Sequence, residues 1–148
     1  MDVSLREVSA ENVHDVLALQ VAPEQTGYVS TNAKSIAEAH FEPRAWFRAI
    51  AAGDALVGFA MVYRVPETRE FHIWRYMIDA RYQGKGYGRK ALDLLLDEAR
   101  SHGATEVTLC VRPGEHSAFD FYARAGFEDT GELDGDQIVM RLPLVTPS

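Results

Sequence analysis

One stretch constrains this chain more than any other. Residues 71–79 read as a strand, and the chain then enters Gln83-Gly84-Lys85-Gly86-Tyr87-Gly88-Arg89-Lys90 and continues as RKALDLLLDEARSHG. Leu92, Leu95, Leu96 and Ala99 follow helical spacing, and Gly103 stands where a helix C-cap belongs. A strand therefore feeds a glycine loop that opens a helix. Free N–H groups at a helix N-terminus, with the positive end of its dipole, form an anion site. Glycines let the main chain approach an anion without a Cβ in the way. Segment 81–90 adds Arg81, Lys85, Arg89 and Lys90 and no acid, inside a chain of net charge −7. Such a local positive patch points to an anionic ligand. The Walker pattern GxxxxGK[ST] is absent. The GxGxG spacing, mid-chain and with no βαβ unit before it, is not a dinucleotide fingerprint either. Taken alone, the loop also reads as a glycine-rich turn before a cationic helix start.

The flanking segments define a mixed fold. Residues 3–8 alternate as a strand. Ser9 is a suitable N-cap for a helix over 11–19, with Val13, Leu17 and Ala18 sharing a face. Residues 21–31 are irregular, and 33–41 suggest a helix with Ile36, Ala37 and His40 on one side. Strands at 45–51 and 55–65 flank the hairpin signal Ala52-Gly53-Asp54. After the glycine loop and its helix come a strand at 105–111, a helix at Ser117–Ala125 and closing strands at 127–131 and 137–142. The order is one strand, two helices, three strands, a helix, a strand, a helix and two strands. That is an α/β chain of mixed α+β type with one sheet, not a regular βαβαβ winding. A length of 148 residues, with no repeat or linker, predicts a single domain over 1–148.

Composition removes several classes. The acidic balance argues against nucleic acid as a partner. No apolar stretch is long enough to span a membrane, and the N-terminus lacks the apolar core of a signal peptide. Cys110 is the only cysteine, so no intrachain disulfide forms and a cytoplasmic location is expected. Cys110 lies mid-strand among apolar residues, where an inert thiol is expected.

The loop and its surroundings resemble the GNAT superfamily of N-acetyltransferases. Gln83 to Gly88 match the [QR]-x-x-G-x-[GA] signature; Met77-Ile78-Asp79 and Tyr82 precede it, and Phe121-Tyr122-Ala123-Arg124-Ala125-Gly126-Phe127 follows downstream. The resemblance covers nearly the whole chain. It implies a mostly antiparallel central sheet, splayed between its fourth and fifth strands (71–79 and 105–111) and flanked by helices. It implies acetyl-CoA as acetyl donor, with no metal. Backbone amides of Gln83, Gly84, Lys85, Gly86, Tyr87, Gly88 and Arg89 would hold its pyrophosphate. Met77 and Ile78 would pair with the pantetheine arm, and an amide there would polarise the thioester carbonyl. Tyr122 matches the tyrosine that protonates the leaving thiolate; the alternative is an aromatic packed beside Phe119 and Phe121. Where the family often has Asn on the pantetheine arm this chain has Glu115, so Ser117 or a backbone group would substitute.

The family's strand glutamate is also missing, its place falling near Trp74. Strand parity puts Glu70, His72, Trp74 and Tyr76 on one face, so His72, with an intrinsic pKa near 6.5, and Glu70 are the candidate bases. The alternative for His72 is a half-buried strand residue without a catalytic role. Within the family, the sequence is most similar to bacterial spermine/spermidine (polyamine) acetyltransferases, through Glu24–Val29, Asn32, Ser35, Ile36, Trp74–Asp79 and Thr130-Gly131-Glu132. That similarity implies a small-molecule amine acceptor, with Glu24, Tyr28, Glu42 and Trp74 as substrate-binding residues. Most such acids are otherwise solvated surface groups, and Tyr28 and Trp74 would equally serve as core. A protein N-terminus, a lysine, an aminoglycoside-like amine, or a non-catalytic acyl-CoA-binding module are the competing readings. The family also allows a homodimer.

Overall fold

A computed structural model describes residues 2–144. Strand β1 (Val3–Arg6) and helices α1 (Val13–Ala18) and α2 (Asn32–His40) precede the meander β2 (Ala45–Ala52), β3 (Ala55–Val65) and β4 (Glu70–Ile78). Helix α3 (Tyr87–Ser101), β5 (Glu106–Val111), α4 (Phe119–Arg124), β6 (Glu128–Asp134) and β7 (Gln137–Pro143) follow. Short 3₁₀ turns at Pro23–Gln25 and Ala80–Tyr82 complete the order.

The strands form one sheet in the order β1-β2-β3-β4-β5-β7-β6. Neighbours are antiparallel except β4 and β5, which are parallel. That parallel pair holds register only at His72–Thr108 and Ile73–Leu109. Beyond it the strands part, and backbone groups of β4 after Ile73 and of β5 after Leu109 face a gap instead of each other. This is the expected splay.

Helices cover both faces. Ala91, Leu92, Leu95, Leu96 and Ala99 of α3 and Tyr122 of α4 pack on one side against Val62, Phe71, Ile73, Val107 and Leu109. Val16 and Leu19 at α1 and Ile36 and Ala39 of α2 pack on the other, against Ala49, Phe59, Met61 and Met77. Burying these side chains is the main source of stability.

Three sequence expectations need correction. In α1 the buried face is Val16 with Leu19, while Leu17 is 41% exposed. The helix starts two residues later than expected, with Asn12 and not Ser9 as its N-cap residue. In α2 the inner face is Asn32, Ser35, Ile36 and Ala39, and Ala37 and His40 point outward. Asn32 is inside because its amide donates to the Val16 carbonyl at 2.9 Å, tying α2 to α1. Finally, β4 does not keep one parity. Met61 faces Arg75 and Val62 faces Ile73, so Trp74 is an extra residue in a β-bulge. Tyr76 therefore lies with Ile73 on the α3 side, and Trp74 and Met77 lie on the α1–α2 side.

Candidate active site

The glycine loop is held open by its own backbone. Gly84 has φ +78° and Gly86, the N-cap of α3, has φ +84°. Both values lie in the left-handed region that L side chains rarely adopt. The space around each is open: a Cβ would meet nothing within 4 Å. The main chain thus faces a free volume at the start of a 15-residue helix, where unpaired N–H groups and the helix dipole favour an anion. Side chains brace the loop from behind. The Tyr76 hydroxyl donates to the Gly88 carbonyl. The Gln83 amide donates to the Ile78 carbonyl at 2.8 Å and to Gln25 Oε1 at 2.9 Å, and the Gln25 amide returns a bond at 3.2 Å. Gly88 itself packs on Phe121 and Ile78.

From the loop a cleft of ≈ 910 Å³ runs into the splay. Met77, Ile78, Gln83, Gly84, Gly86, Gly88, Arg89 and Ser117 line it, as do Tyr28, Trp74 and Tyr122. Lys85 and Tyr87 lie outside the wall; Tyr87 packs on the core instead. The groups that support Ser117 are local: its hydroxyl accepts from the Phe119 amide at 3.1 Å, at the start of α4.

Tyr122 is 7% exposed, within an aromatic cluster of Tyr76, Phe121 and Phe127 at centroid distances of 5.1–6.5 Å. Burial pushes its hydroxyl pKa well above the ordinary tyrosine value. The group stays protonated at neutral pH, a donor at the edge of the cleft.

The two candidate bases are elsewhere. Glu70 is exposed and borders a separate hollow of ≈ 170 Å³ at the opposite end of β4, with Arg64, Arg69 and His102. His72 sits at the pivot of the splay, its Nδ1 2.8 Å from the Thr108 hydroxyl, and is not part of the cleft wall. Burial lowers its pKa, partly offset by Glu70 and Asp134. The bulge at Trp74 is what separates these residues from Tyr76. Glu24 is exposed on its 3₁₀ turn, and Glu42 turns back to accept from the Arg44 amide at 3.1 Å. Neither lines the cleft. Among the described residues its wall contains no Asp or Glu, but does contain Lys34, Arg75, Arg89 and Arg112.

A model of the Acetyltransferase (GNAT) family matches residues 13–127, more than half of the chain. The chain belongs to the GNAT family of acetyltransferases. It is similar to the spermine/spermidine N(1)-acetyltransferase of Bacillus subtilis, at 30% identity over 95% of this chain and 99% of that one. The N-alpha-acetyltransferase RimI of Mycobacterium tuberculosis is 37% identical over 54% of this chain and half of its own. Among solved structures, the PaiA N-acetyltransferase of Thermoplasma acidophilum in complex with coenzyme A superposes with a TM-score of 0.75 at 17% identity, covering 97% and 100% of the two chains. This GNAT chain is accordingly an N-acetyltransferase that uses acetyl-CoA as co-substrate. Its glycine loop suits that donor, since the open space at Gly84 and Gly86 lets an anionic group approach the main chain. Among the described residues, no helix is long and apolar enough to cross a membrane, and no group of His, Cys, Asp and Glu could hold a metal ion.

Several residues that shape the site carried no role in the sequence reading. Asp79, 3% exposed, accepts from the Gln20 amide at 2.9 Å and from the Arg81 amide and guanidinium at 2.9 Å. It joins the end of β4 to the segment after α1. Burial alone would raise its pKa, but the bonds from Arg81 and Gln20 outweigh that and lower it. Gln25 and Arg75 were equally silent, because their partners, Gln83 and Glu38, are distant in sequence.

Proposed function

We propose that this chain transfers the acetyl group of acetyl-CoA to a primary amine by direct attack, in a single domain. The observation that carries the reading is the continuous cleft from the glycine cradle through the β4–β5 splay to the Tyr122 hydroxyl. Backbone amides of residues 83–89 hold the pyrophosphate, and the backbone at Met77 and Ile78, where β4 parts from β5, meets the pantetheine arm and the thioester carbonyl. The amine nitrogen bonds to the carbonyl carbon as the carbon–sulfur bond breaks. Tyr122 donates its proton to the departing thiolate, and the proton released by the acylated nitrogen returns through solvent to restore the tyrosine. No side chain acts as nucleophile. With no carboxylate in the wall to act as base, the amine gives up its proton before attack to solvent or to His116, which also lines the cleft.

Relatives and geometry pull apart over the acceptor. The full-length likeness to spermine/spermidine acetyltransferases favours a polyamine such as spermidine or spermine. An α-amine is the second reading, favoured by the RimI-like relatives and by the missing carboxylate base. An α-amino group has a pKa near 7.7–8.0 and is partly neutral in water, whereas a lysine-like amine, near 10.4, is almost wholly protonated. A cytoplasmic location and a homodimer belong to the same family-based reading. Acetyl-CoA-dependent thiol release, scanned over spermidine, spermine, diamines, aminoglycosides and lysine or N-terminal peptides, tests it. Release with any amine, matched by an acetylated product, supports it. Silence across the panel while acetyl-CoA binds sinks the polyamine reading and leaves either an acceptor outside the panel or a non-catalytic binding module.

A further inference from the structure

The far wall of the cleft has the wrong charge for a polycation. Glu24 and Glu42, the acids expected to greet ammonium groups, both stand off it. Arg89 belongs to the phosphate end, where it leans on Asp93 at 3.2 Å. Arg112 is paired with Asp136 at 3.1 Å. Lys34 and Arg75 are different: they lie on α2 and β4, on the α1–α2 side of the splay.

Arg75 is mostly buried and incompletely used. One terminal nitrogen donates to Glu38 at 3.0 Å, the other to the Trp74 carbonyl at 3.1 Å. Its Nε is buried and has no partner among the described residues. A buried donor left without an acceptor is destabilising, so such groups call for an explanation. Lys34, one helical turn before Glu38, has no ion-pair partner among the described residues. Glu38 is thus paired with Arg75, and Lys34, also in the wall, is left without an ion-pair partner among the described residues. The first turn of α2 lies beside them, with Ser30 and Thr31 also in the wall, and its dipole adds to the positive field. The pattern is a local positive site in a chain of net charge −7.

From this we infer that the acceptor is a primary amine bearing a carboxylate, with Lys34 and Arg75 as the groups that receive the carboxylate while the amine faces the thioester. The inference rests on the amine-acetylation reading and narrows its substrate class, away from polyamines. A planar guanidinium and a mobile ammonium together suit a carboxylate. Two sources share this chemistry: a free amino acid, and a peptide whose residue after the N-terminus is acidic.

The test is a set of matched pairs in the thiol-release assay. Alanine, β-alanine and glutamate are each compared with their amides, and an Ala-Asp peptide amide with its Ala-Asn counterpart. The expected result is a KM lower by about tenfold for the acid member of at least one pair. The pair that shows it identifies the source. Lys34→Glu, at an exposed position, is expected to erase that preference while leaving the acetyl-CoA KM unchanged. Arg75→Lys keeps the charge opposite Glu38 but removes the planar donor, and is expected to raise the KM of the acid alone. Equal KM values within every pair, better turnover of spermidine than of any acid, or a preference unmoved in both variants would overturn the inference while leaving amine acetylation in place. Absence of turnover with any amine overturns both.

Discussion

At the glycine loop, Gly84 and Gly86 leave main chain open to the cleft, whereas the opposite wall presents side chains such as Tyr28, Lys34, Trp74 and Arg75. The first depends on positive φ angles at Gly84 and Gly86 and on the start of α3. The second depends on which residues of two helices and a bulged strand meet across the fold. Recognition by backbone is written locally, as glycine spacing next to a helix. Recognition by side chains is written in pairings between segments far apart, such as Gln25 with Gln83 and Arg75 with Glu38. The same contrast explains why one cofactor site can serve relatives whose acceptors differ.

Substitutions break this comparison in graded ways. Gly86→Val attacks the backbone wall. It imposes a left-handed conformation on a branched residue and places carbon where phosphate oxygens approach. Losing even two amide contacts to charged oxygens, at about 1.5–3 kcal/mol each, weakens acetyl-CoA binding by about a hundredfold or more. Calorimetric titration with CoA would show it, and near-normal affinity would remove the cradle from the account. Asp79→Asn attacks the joint between the walls. It keeps the size of the side chain but loses the charge facing Arg81, and is expected to cost about 2 kcal/mol of stability, read as a lower denaturant midpoint.

Gly114→Ala attacks the side-chain wall. Gly114 has φ +143°, and a Cβ there would strike the Tyr28 hydroxyl, which also accepts from the His116 amide at 3.4 Å. Tyr28 thereby links the 26–31 segment to the loop after β5, across the mouth of the cleft. The variant should raise the acceptor KM several-fold and leave acetyl-CoA affinity nearly unchanged. Adding Tyr28→Ala removes the clash, so the two changes should be non-additive. Additive effects would show that the contact does not shape the acceptor wall.

The element order and the glycine loop were legible because each has local grammar, while the splay was expected only through the resemblance to the GNAT family. Alternation marks the strands, 3.6-residue spacing marks α3, and glycines mark the loop. The parity of β4 was not legible. A bulge inserts one residue at Trp74, and nothing in Glu70–Ile78 itself announces it. That single residue moved Tyr76 off the face shared by His72 and Trp74, and with it the argument for His72 as base. The faces of α1 and α2 were misread for a related reason: in short helices a one-residue shift rotates the inner stripe by about 100°, and Asn32 and Ser35 are polar residues that point inward.

The smallest effect concerns that histidine. His72 has a lowered pKa in the folded chain, so the unfolded chain takes up the proton first as pH falls. Stability from a neutral His72 is present above its unfolded pKa, near 6.5, and declines below that value until the folded group also protonates. His72→Gln should flatten this part of the profile of melting temperature against pH, with kcat little changed. A large loss of kcat would return His72 to the catalytic site.

The most direct measurement is the rate of thiol release by Tyr122→Phe at saturating acetyl-CoA and acceptor. The phenyl ring preserves the aromatic cluster and removes only the proton donor. The account predicts a kcat lower by about a hundredfold, with CoA affinity and melting temperature close to those of the unaltered chain. An unchanged kcat would contradict it, making Tyr122 a core aromatic and leaving the thiolate to be protonated from elsewhere.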